Sequence, residues 1–340
     1  MRVYTGAGGD GLQGVAAEAE RAERLGFDGI GFGETGGDAF LPCVLAVEHT
    51  KSLNVATSVA IAFPRSPMIT AYQSWMLQHY SGGRFQLGLG TQVKGHNERR
   101  FSVKWTAPGP RLREYLLSLR AIFDSWHNGT RLNFKGEHYT FTLMTPAFTP
   151  PKLSSAPPQL FISAVGPYNA RLAGEVCDGV SLHGFTTPKY VAEVTLPNLE
   201  AGAKVAGRSL KDLAISGGGF VVTGATEEEV GKAYERTRRQ ISFYASTRTY
   251  KRVLDIHGWG DTCLKLHEMS LRNEWAQMPG LISDEMMDAF CVTGTYDTIV
   301  PKIRERYGWY ASRVNFPLPE ATPAKEAAVK RIVAELKAQS

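Results

Sequence analysis

Residues 160–184 read LFISAVGPYNARLAGEVCDGVSLHG. The two apolar runs, Leu160–Ala164 and Gly179–His183, predict strands, and the amphipathic stretch between them predicts a helix over Pro167–Val176. This order of elements is typical of two parallel strands joined by a crossover helix. Pro167 suits the first turn of that helix, because an N–H at this position would have no helical partner. The segment therefore predicts a βαβ unit in a parallel sheet.

The same alternation continues in both directions along the chain. Each predicted strand is followed by helical sequence, and the eight strands are Val3–Thr5, Phe27–Phe32, Val55–Ile61, Arg84–Leu89, Leu160–Ala164, Gly179–His183, Leu213–Val222 and Arg313–Phe316. Eight such repeats predict the α/β class and a closed (β/α)8 TIM barrel, whose active site lies at the carboxyl ends of the strands. We expect a single barrel domain over residues 1–340.

Two segments interrupt the alternation and predict insertions into the barrel. Residues 127–157 contain a predicted hairpin over Leu132–Phe141 and a proline-rich connector. Residues 245–290 contain short helix-like pieces and large apolar side chains, namely Trp259, Trp275, Met278, Met286 and Met287. These side chains suggest an apolar substrate beneath the insertion, or else a dimer interface or ordinary core.

The composition argues against several classes of protein. The chain has 38 Lys+Arg against 33 Asp+Glu, and a net charge of +5 fits a small anionic ligand better than nucleic acid, for which a dense basic stripe is expected. No apolar stretch approaches the roughly 20 residues that span a bilayer, and the N-terminus lacks a signal-peptide pattern. Four scattered cysteines favour a reducing compartment. We expect a cytoplasmic protein with a small-molecule substrate and no nucleic-acid or membrane partner.

Near the N-terminus, Gly6–Gly11 matches the pattern GxGxxG, and Glu34 follows 23 residues after Gly11. This is the spacing of a dinucleotide-binding fingerprint with its ribose-binding acid. However, only Val3 and Tyr4 precede the glycines, whereas a Rossmann first strand is a longer buried apolar run. The eight repeats also exceed the six strands of that fold. We therefore favour a turn at the mouth of a barrel over a NAD-dependent dehydrogenase.

Polar side chains at the predicted strand ends are the catalytic candidates. Glu34 follows the second strand, Gln92 follows the fourth, and His183 ends the sixth. A carboxylate at such a position can orient a substrate, bind a cofactor ring or transfer a proton, but it can also be a solvated acid or a helix cap. A histidine there either serves a ligand or is a satisfied structural group. No HxH or HExxH spacing is present, so we expect no metal.

Small residues at the same strand ends are the candidates for cofactor binding. Gly88 and Gly90 lie inside the fourth predicted strand, which indicates a bulge or the close approach of a ligand. Ala164–Gly166 leads directly into a helix N-terminus, an arrangement suited to phosphate or simply a tight turn. A basic cluster follows the fourth strand and either attracts an anionic tail or is a solvated face: Lys94, His96, Arg99, Arg100 and Lys104.

Three motifs together resemble the luciferase-like monooxygenase superfamily. They are RFQLGLGT at residues 84–91, TSV at residues 57–59, and the segment from Ala164 to Gly179. Within that superfamily the chain is most similar to the branch that uses the deazaflavin coenzyme F420, although members that use FMN share the same barrel and strand motifs. The resemblance covers nearly the whole chain. It implies a barrel, a homodimer, and a non-proline cis peptide at Ser58–Val59 that props the cofactor ring.

The resemblance also implies where a cofactor would bind and which residues would surround it. Glu34, Gln92 and His183 match positions that line the ring and the substrate. The residues matching cofactor contacts are Thr57, Ser58, Val59, Gly90, Thr91, Ala164, Val165, Gly166 and Gly184. Many deazaflavin relatives carry a histidine at the end of the second strand, and some a glutamate after the fourth strand motif. This chain has Gly36–Gly37 and Gln92 there, and a glutamine cannot act as a general acid.

These observations give one leading hypothesis and two alternatives. The leading hypothesis is an oxidoreductase that transfers a hydride between coenzyme F420 and a small, apolar organic substrate, with Glu34, His183 or water as the source of the proton. The first alternative is an FMN-dependent monooxygenase on the same barrel. The second is a non-catalytic barrel that binds a flavin or another ligand.

Overall fold

The computed structural model describes residues 1–7 and 11–338. Eight parallel strands form the barrel: β1 Arg2–Ala7, β2 Gly29–Phe32, β3 Asn54–Thr57, β5 Phe85–Gly90, β8 Gln159–Ala164, β9 Gly179–Leu182, β10 Ala214–Ser216 and β13 Arg313–Asn315. Their order is β3-β2-β1-β13-β10-β9-β8-β5, and pairing of β3 with β5 closes the sheet. The predicted (β/α)8 barrel is confirmed. The Rossmann alternative is wrong, although Gly8–Asp10 of the GxGxxG match lie outside the described residues.

Helices follow the strands around the barrel. The α-helices are α1 Val15–Arg24, α2 Phe40–Glu48, α3 Pro67–Tyr80, α4 Lys94–Arg99, α5 Pro108–Asn128, α6 Pro167–Val176, α7 Pro188–Tyr190, α8 Leu196–Val205, α9 Glu227–Ala245, α10 Lys251–Asp255, α11 Gly260–Leu271, α12 Asp284–Phe290, α13 Ile299–Tyr307 and α14 Pro323–Lys337. A π-helical turn, Val191–Thr195, joins α7 to α8. In the described part of the chain, no helix combines the length and apolarity needed to cross a membrane.

Local sequence signals place several of these helix starts. Ser66 accepts a hydrogen bond from the N–H of Met68 and Pro67 occupies the first turn of α3. Thr226 caps α9 in the same way. Three glutamates lie in the first turn of this helix, where their negative charges interact favourably with the positive end of the helix dipole. These capping residues therefore fix the positions at which α3 and α9 begin.

Two predicted strands are each divided in the structure. The run Val55–Ile61 splits into β3 and the short β4, Ala60–Ile61, on either side of Ser58–Val59. The run Leu213–Val222 splits at Gly219, whose φ of +89° turns the chain out of the barrel. Only β10 belongs to the barrel. Its continuation β11, Phe220–Gly224, pairs in parallel with β12, Cys291–Thr295, a strand that the sequence analysis did not predict.

The two predicted insertions have different structures. The first contains the expected hairpin, β6 Phe134–Lys135 and β7 Thr140–Phe141. The second packs with α9, β11 and β12 around its own buried apolar cluster, separate from the cluster that surrounds the barrel. Met278, Met286 and Met287 lie in this second cluster and are core residues. The assignment of the whole chain to one domain stays a prediction.

Candidate active site

The third barrel strand ends in a bulge at the carboxyl end of the barrel. The peptide bond between Ser58 and Val59 is cis, as the resemblance implied. We call these two residues the β3 bulge. Ser58 is exposed, whereas the preceding Thr57 is buried and its hydroxyl bridges to β5, donating to the carbonyl oxygen of Gly88 and accepting from its N–H at 2.8 and 2.9 Å. The bulge is therefore fastened at its base and open to solvent at its tip.

Glycines in the two neighbouring strands make room for the β3 bulge. A Cβ on Gly31 in β2 would lie 2.8 Å from the Cβ of Ser58. In β5, a Cβ on Gly88 would lie 2.1 Å from the carbonyl oxygen of Thr57, and one on Gly90 would lie 2.8 Å from Cγ2 of Val59. Of the two explanations that the sequence left open for Gly88 and Gly90, the bulge is the one that the structure supports. Gly88 accommodates the backbone of Thr57, and Gly90 accommodates the side chain of Val59.

Glu34 is held in a buried ion pair beside the bulge. Its side chain is only 7% exposed, and its two oxygens accept from the guanidinium of Arg65 at 2.7 and 2.8 Å. One oxygen also accepts from the N–H of Ile61 in β4 at 2.6 Å. Because both oxygens are occupied, the geometry favours a role in positioning β4 over proton transfer.

Arg65 also binds Asp38, at the start of α2. The distance from Arg65 Nη2 to Asp38 Oδ2 is 2.5 Å, and Asp38 Oδ1 accepts from the N–H groups of Phe40 and Leu41. Burial alone would raise the pKa of Asp38, but the hydrogen bonds from Arg65 and from Phe40 outweigh it and lower the pKa. Arg65, which no sequence motif identified, therefore connects the loop after β2 to the end of β4.

His183 directly follows β9 and is a neutral hydrogen-bond donor. Its Nδ1 accepts from the N–H of Phe185 at 2.9 Å, which places the ring proton on Nε2. Burial lowers the pKa of His183 to about 4. At neutral pH the side chain can donate a hydrogen bond through Nε2–H, but it carries no extra proton to release as an imidazolium would.

An aromatic wall surrounds His183. The ring of Tyr244 meets the imidazole edge-on with centroids 4.8 Å apart, and the ring of Tyr250 lies 5.0 Å away. Phe185 stacks on Tyr250 and on Phe290. Tyr244 and Tyr250 come from α9 and the second insertion, so the sequence alone did not place them beside β9. The wall explains the low pKa of His183, because aromatic rings replace the water that would solvate the charged form.

The protonation of His183 predicts a specific pH dependence of stability. In the unfolded chain the pKa of His183 is near 6.5, whereas in the folded protein it is about 4. Between these values the unfolded state binds a proton that the folded state does not. This contribution to stability is complete above pH 6.5 and is lost as the pH falls. From pH 7 to pH 5 we expect the free energy of unfolding to fall by about 2 kcal/mol more in the wild type than in His183→Gln. Urea unfolding of both proteins at both pH values measures this, and parallel losses would contradict it.

Gln92 lies just beyond β5 in a left-handed conformation. Its φ is +57°, and its Oε1 accepts from the N–H of Val93 at 2.9 Å. The side chain therefore folds back on its own loop. Its catalytic role stays a prediction.

The turn after β8 forms the N-terminus of α6, as predicted. Gly166 is the N-cap residue, and Pro167 follows it in the first turn. A guanidinium nitrogen of Arg252 lies 3.0 Å from the position that a Cβ on Gly166 would occupy. Tyr190 donates to the carbonyl oxygen of Val165 at 2.9 Å and fixes the other side of the turn. Arg252 belongs to the second insertion and has no sequence signal that would assign it to this site.

One group of potential metal ligands occurs among the described residues. Atoms of Glu114, Glu137 and His138 lie within 4.8 Å of one another at the β6–β7 hairpin. The carboxylate of Glu114 already accepts from the backbone N–H groups of Glu137, His138 and Tyr139. Its geometry is that of a cap for the hairpin turn.

The fold and the groups at its mouth define a (β/α)8-barrel enzyme with the candidate site at the carboxyl ends of the strands. Residues 1–313 match the family described as luciferase-like monooxygenase. An uncharacterised protein of Mycobacterium tuberculosis (strain ATCC 25618 / H37Rv) is 46% identical over 303 residues, 89% of each chain. The chain belongs to the luciferase-like monooxygenase family.

Two further similarities concern reductases. The 5,10-methylenetetrahydromethanopterin reductase of Methanolobus tindarius is 28% identical over 327 residues, 95% of each chain. The structure of the coenzyme F420-dependent tetrahydromethanopterin reductase of Methanopyrus kandleri has a TM-score of 0.79 and 22% identity, over 98% of each chain. The second similarity is one of fold.

Proposed function

We propose that the protein transfers a hydride between coenzyme F420 and a small, largely apolar organic substrate. The observation that carries the proposal is the β3 bulge, whose Ser58 is exposed at the barrel mouth. The bulge lies against glycines of β2 and β5, and neither it nor β3 contains a charged residue. The similarity to reductases, one of which is F420-dependent, favours hydride transfer over oxygen activation. Bound deazaflavin would supply the hydride from C5 of its ring.

The residues at the mouth fit such a cofactor. Ser58 and Val59 offer a fixed, uncharged support for a flat ring, because the Thr57 hydroxyl fastens the base of the bulge to Gly88 in β5. The N-terminus of α6 presents backbone N–H groups, and Arg252 adds a positive charge beside Gly166, which together suit a phosphate. We therefore retain Thr57, Gly90, Thr91, Ala164, Val165 and Gly184 as proposed neighbours of the cofactor.

His183 and the aromatic wall would face the substrate. Nε2–H of His183 would donate to a carbonyl or hydroxyl oxygen of the substrate, and the rings of Tyr244 and Tyr250 would exclude water around it. Because His183 is neutral, we assign it the positioning of that oxygen. The proton that balances the hydride then comes from solvent or from a group on the substrate.

Ligand titration tests the proposed function. We expect F420 to bind at least about tenfold more tightly than FMN, measured by fluorescence quenching, and to exchange hydride with a member of a panel of ketones and alcohols. Arg252→Ala should weaken F420 binding about tenfold, whereas Arg171→Ala, exposed on α6, should not. Tighter FMN binding with oxygen-dependent turnover would replace the proposal with the monooxygenase. Binding without turnover across the panel would favour the non-catalytic barrel.

We also propose that the protein is a homodimer. The outer faces of α2 and α3 carry exposed apolar side chains that one subunit leaves uncovered: Leu41, Val44, Ile69, Met76 and Tyr80. Sedimentation velocity measures the mass directly, and a monomer at all concentrations would reject this proposal.

A further inference from the structure

Much of the excess positive charge of the chain lies in one segment beside the candidate site. We call residues 94–104 the basic segment. It carries four cationic side chains against the single carboxylate of Glu98 and thus supplies +3 of the formal +5; the four are Lys94, Arg99, Arg100 and Lys104. All four residues are exposed, and none forms an ion pair with any residue in the described part of the chain. Their charges are therefore available to a ligand.

Two hydrogen bonds tie the basic segment to the loops that follow β2 and β5. The side-chain amide of Asn97 donates to the carbonyl oxygen of Thr91, just after β5, at 2.9 Å. Arg100 donates to the carbonyl oxygen of Thr35, just after β2, at 2.6 Å. Since β2 and β5 are the two neighbours of β3 in the barrel, these contacts place the segment at the same end of the barrel as the β3 bulge.

The backbone of this region is strained. Among the described residues other than glycine, four have a positive φ, and three of them are Gln92, Ser102 and Ala107, within or beside the basic segment. Each such conformation costs on the order of 1–3 kcal/mol. Three strained conformations in so short a stretch indicate a segment shaped for a function and not for stability alone.

We propose that the basic segment binds a flexible chain of carboxylates attached to the cofactor. This inference rests on the proposed function, because coenzyme F420 carries an oligoglutamate chain beyond its phosphate, whereas FMN ends at the phosphate. Cations spaced along eleven residues match separate charges on a chain better than one compact phosphate, which the turn at Gly166 already suits. The attraction acts across exposed surface, so salt screens it.

The test compares two ligands on three proteins. The ligands are F420 with several glutamates and the same deazaflavin truncated after its phosphate and lactyl group. The test variant is Lys94→Ala/Arg99→Ala. The matched control is Lys51→Ala/Lys211→Ala, which removes the same charge from exposed positions just before β3 and β10, at the opposite end of the barrel. Dissociation constants are measured by fluorescence quenching at low and high salt.

We expect the wild type and the control to bind the long-tailed form about tenfold more tightly at low salt, and this preference to disappear at high salt. The test variant should lose the preference and bind the truncated form as the wild type does. Equal binding of both forms by the wild type at low salt, an undiminished preference in the test variant, or the same loss in the control would each overturn the inference. Failure of the wild type to bind either form would instead contradict the proposed function.

Discussion

Gly88→Ala is expected to destabilise the protein by at least about 3 kcal/mol and to yield little soluble protein. The added Cβ would lie 2.1 Å from the carbonyl oxygen of Thr57. No rotamer change relieves this contact, because the backbone fixes the positions of both atoms. The two hydrogen bonds between the Thr57 hydroxyl and Gly88 also have to break if the strands separate. The substitution therefore disrupts the contacts between β3 and β5 at the base of the β3 bulge.

The matched control is Gly36→Ala, in the loop after β2. A Cβ at Gly36 has no atom within 4 Å, and its φ is not in the positive range. We expect its free energy of unfolding to stay within about 0.5 kcal/mol of the wild type in urea titrations. A stable, folded Gly88→Ala would mean that β3 and β5 can separate without loss, and the account of the glycines around the bulge would be wrong.

The barrel could be predicted from sequence because its signal is local. Strands such as β8 are short apolar runs, and helices such as α6 begin at a proline and carry a periodic apolar face. The division of residues 213–222 between two sheets could not be predicted in this way, since both halves are apolar and strand-like. What separates them is the turn at Gly219 and the partner β12, which lies about 70 residues further along the chain.

The candidate site was predictable in position but less so in chemistry. Strand ends identified Glu34 and His183 as residues of the mouth, and the resemblance identified the β3 bulge. The chemistry of these residues depends on partners distant in sequence: Arg65 neutralises Glu34, and Tyr244 and Tyr250 desolvate His183. No spacing rule predicts such partners, because the fold brings them together and the local pattern does not.

Arg65→Ala is expected to cost about 3–5 kcal/mol of stability and to weaken cofactor binding strongly. Its guanidinium is only 14% exposed and is shared by Glu34 and Asp38. Removal leaves the carboxylate of Glu34 buried and charged, with the N–H of Ile61 as its remaining donor. The link between the end of β2 and β4 is then reduced to that one hydrogen bond, because the bond from Arg65 to the carbonyl oxygen of Ile61 is lost as well. Urea unfolding and F420 titration measure the two effects.

Arg24→Ala is the control, because Arg24 is 59% exposed and pairs with Glu326 at the surface. We expect it to cost less than about 1 kcal/mol. In the double variant Glu34→Gln/Arg65→Ala much of the lost stability should return, because the more deeply buried of the two uncompensated charges, that of Glu34, is gone. A double variant as unstable as the single one would show that Arg65 acts through packing, for instance over the ring of Phe40, and not through the charge of Glu34.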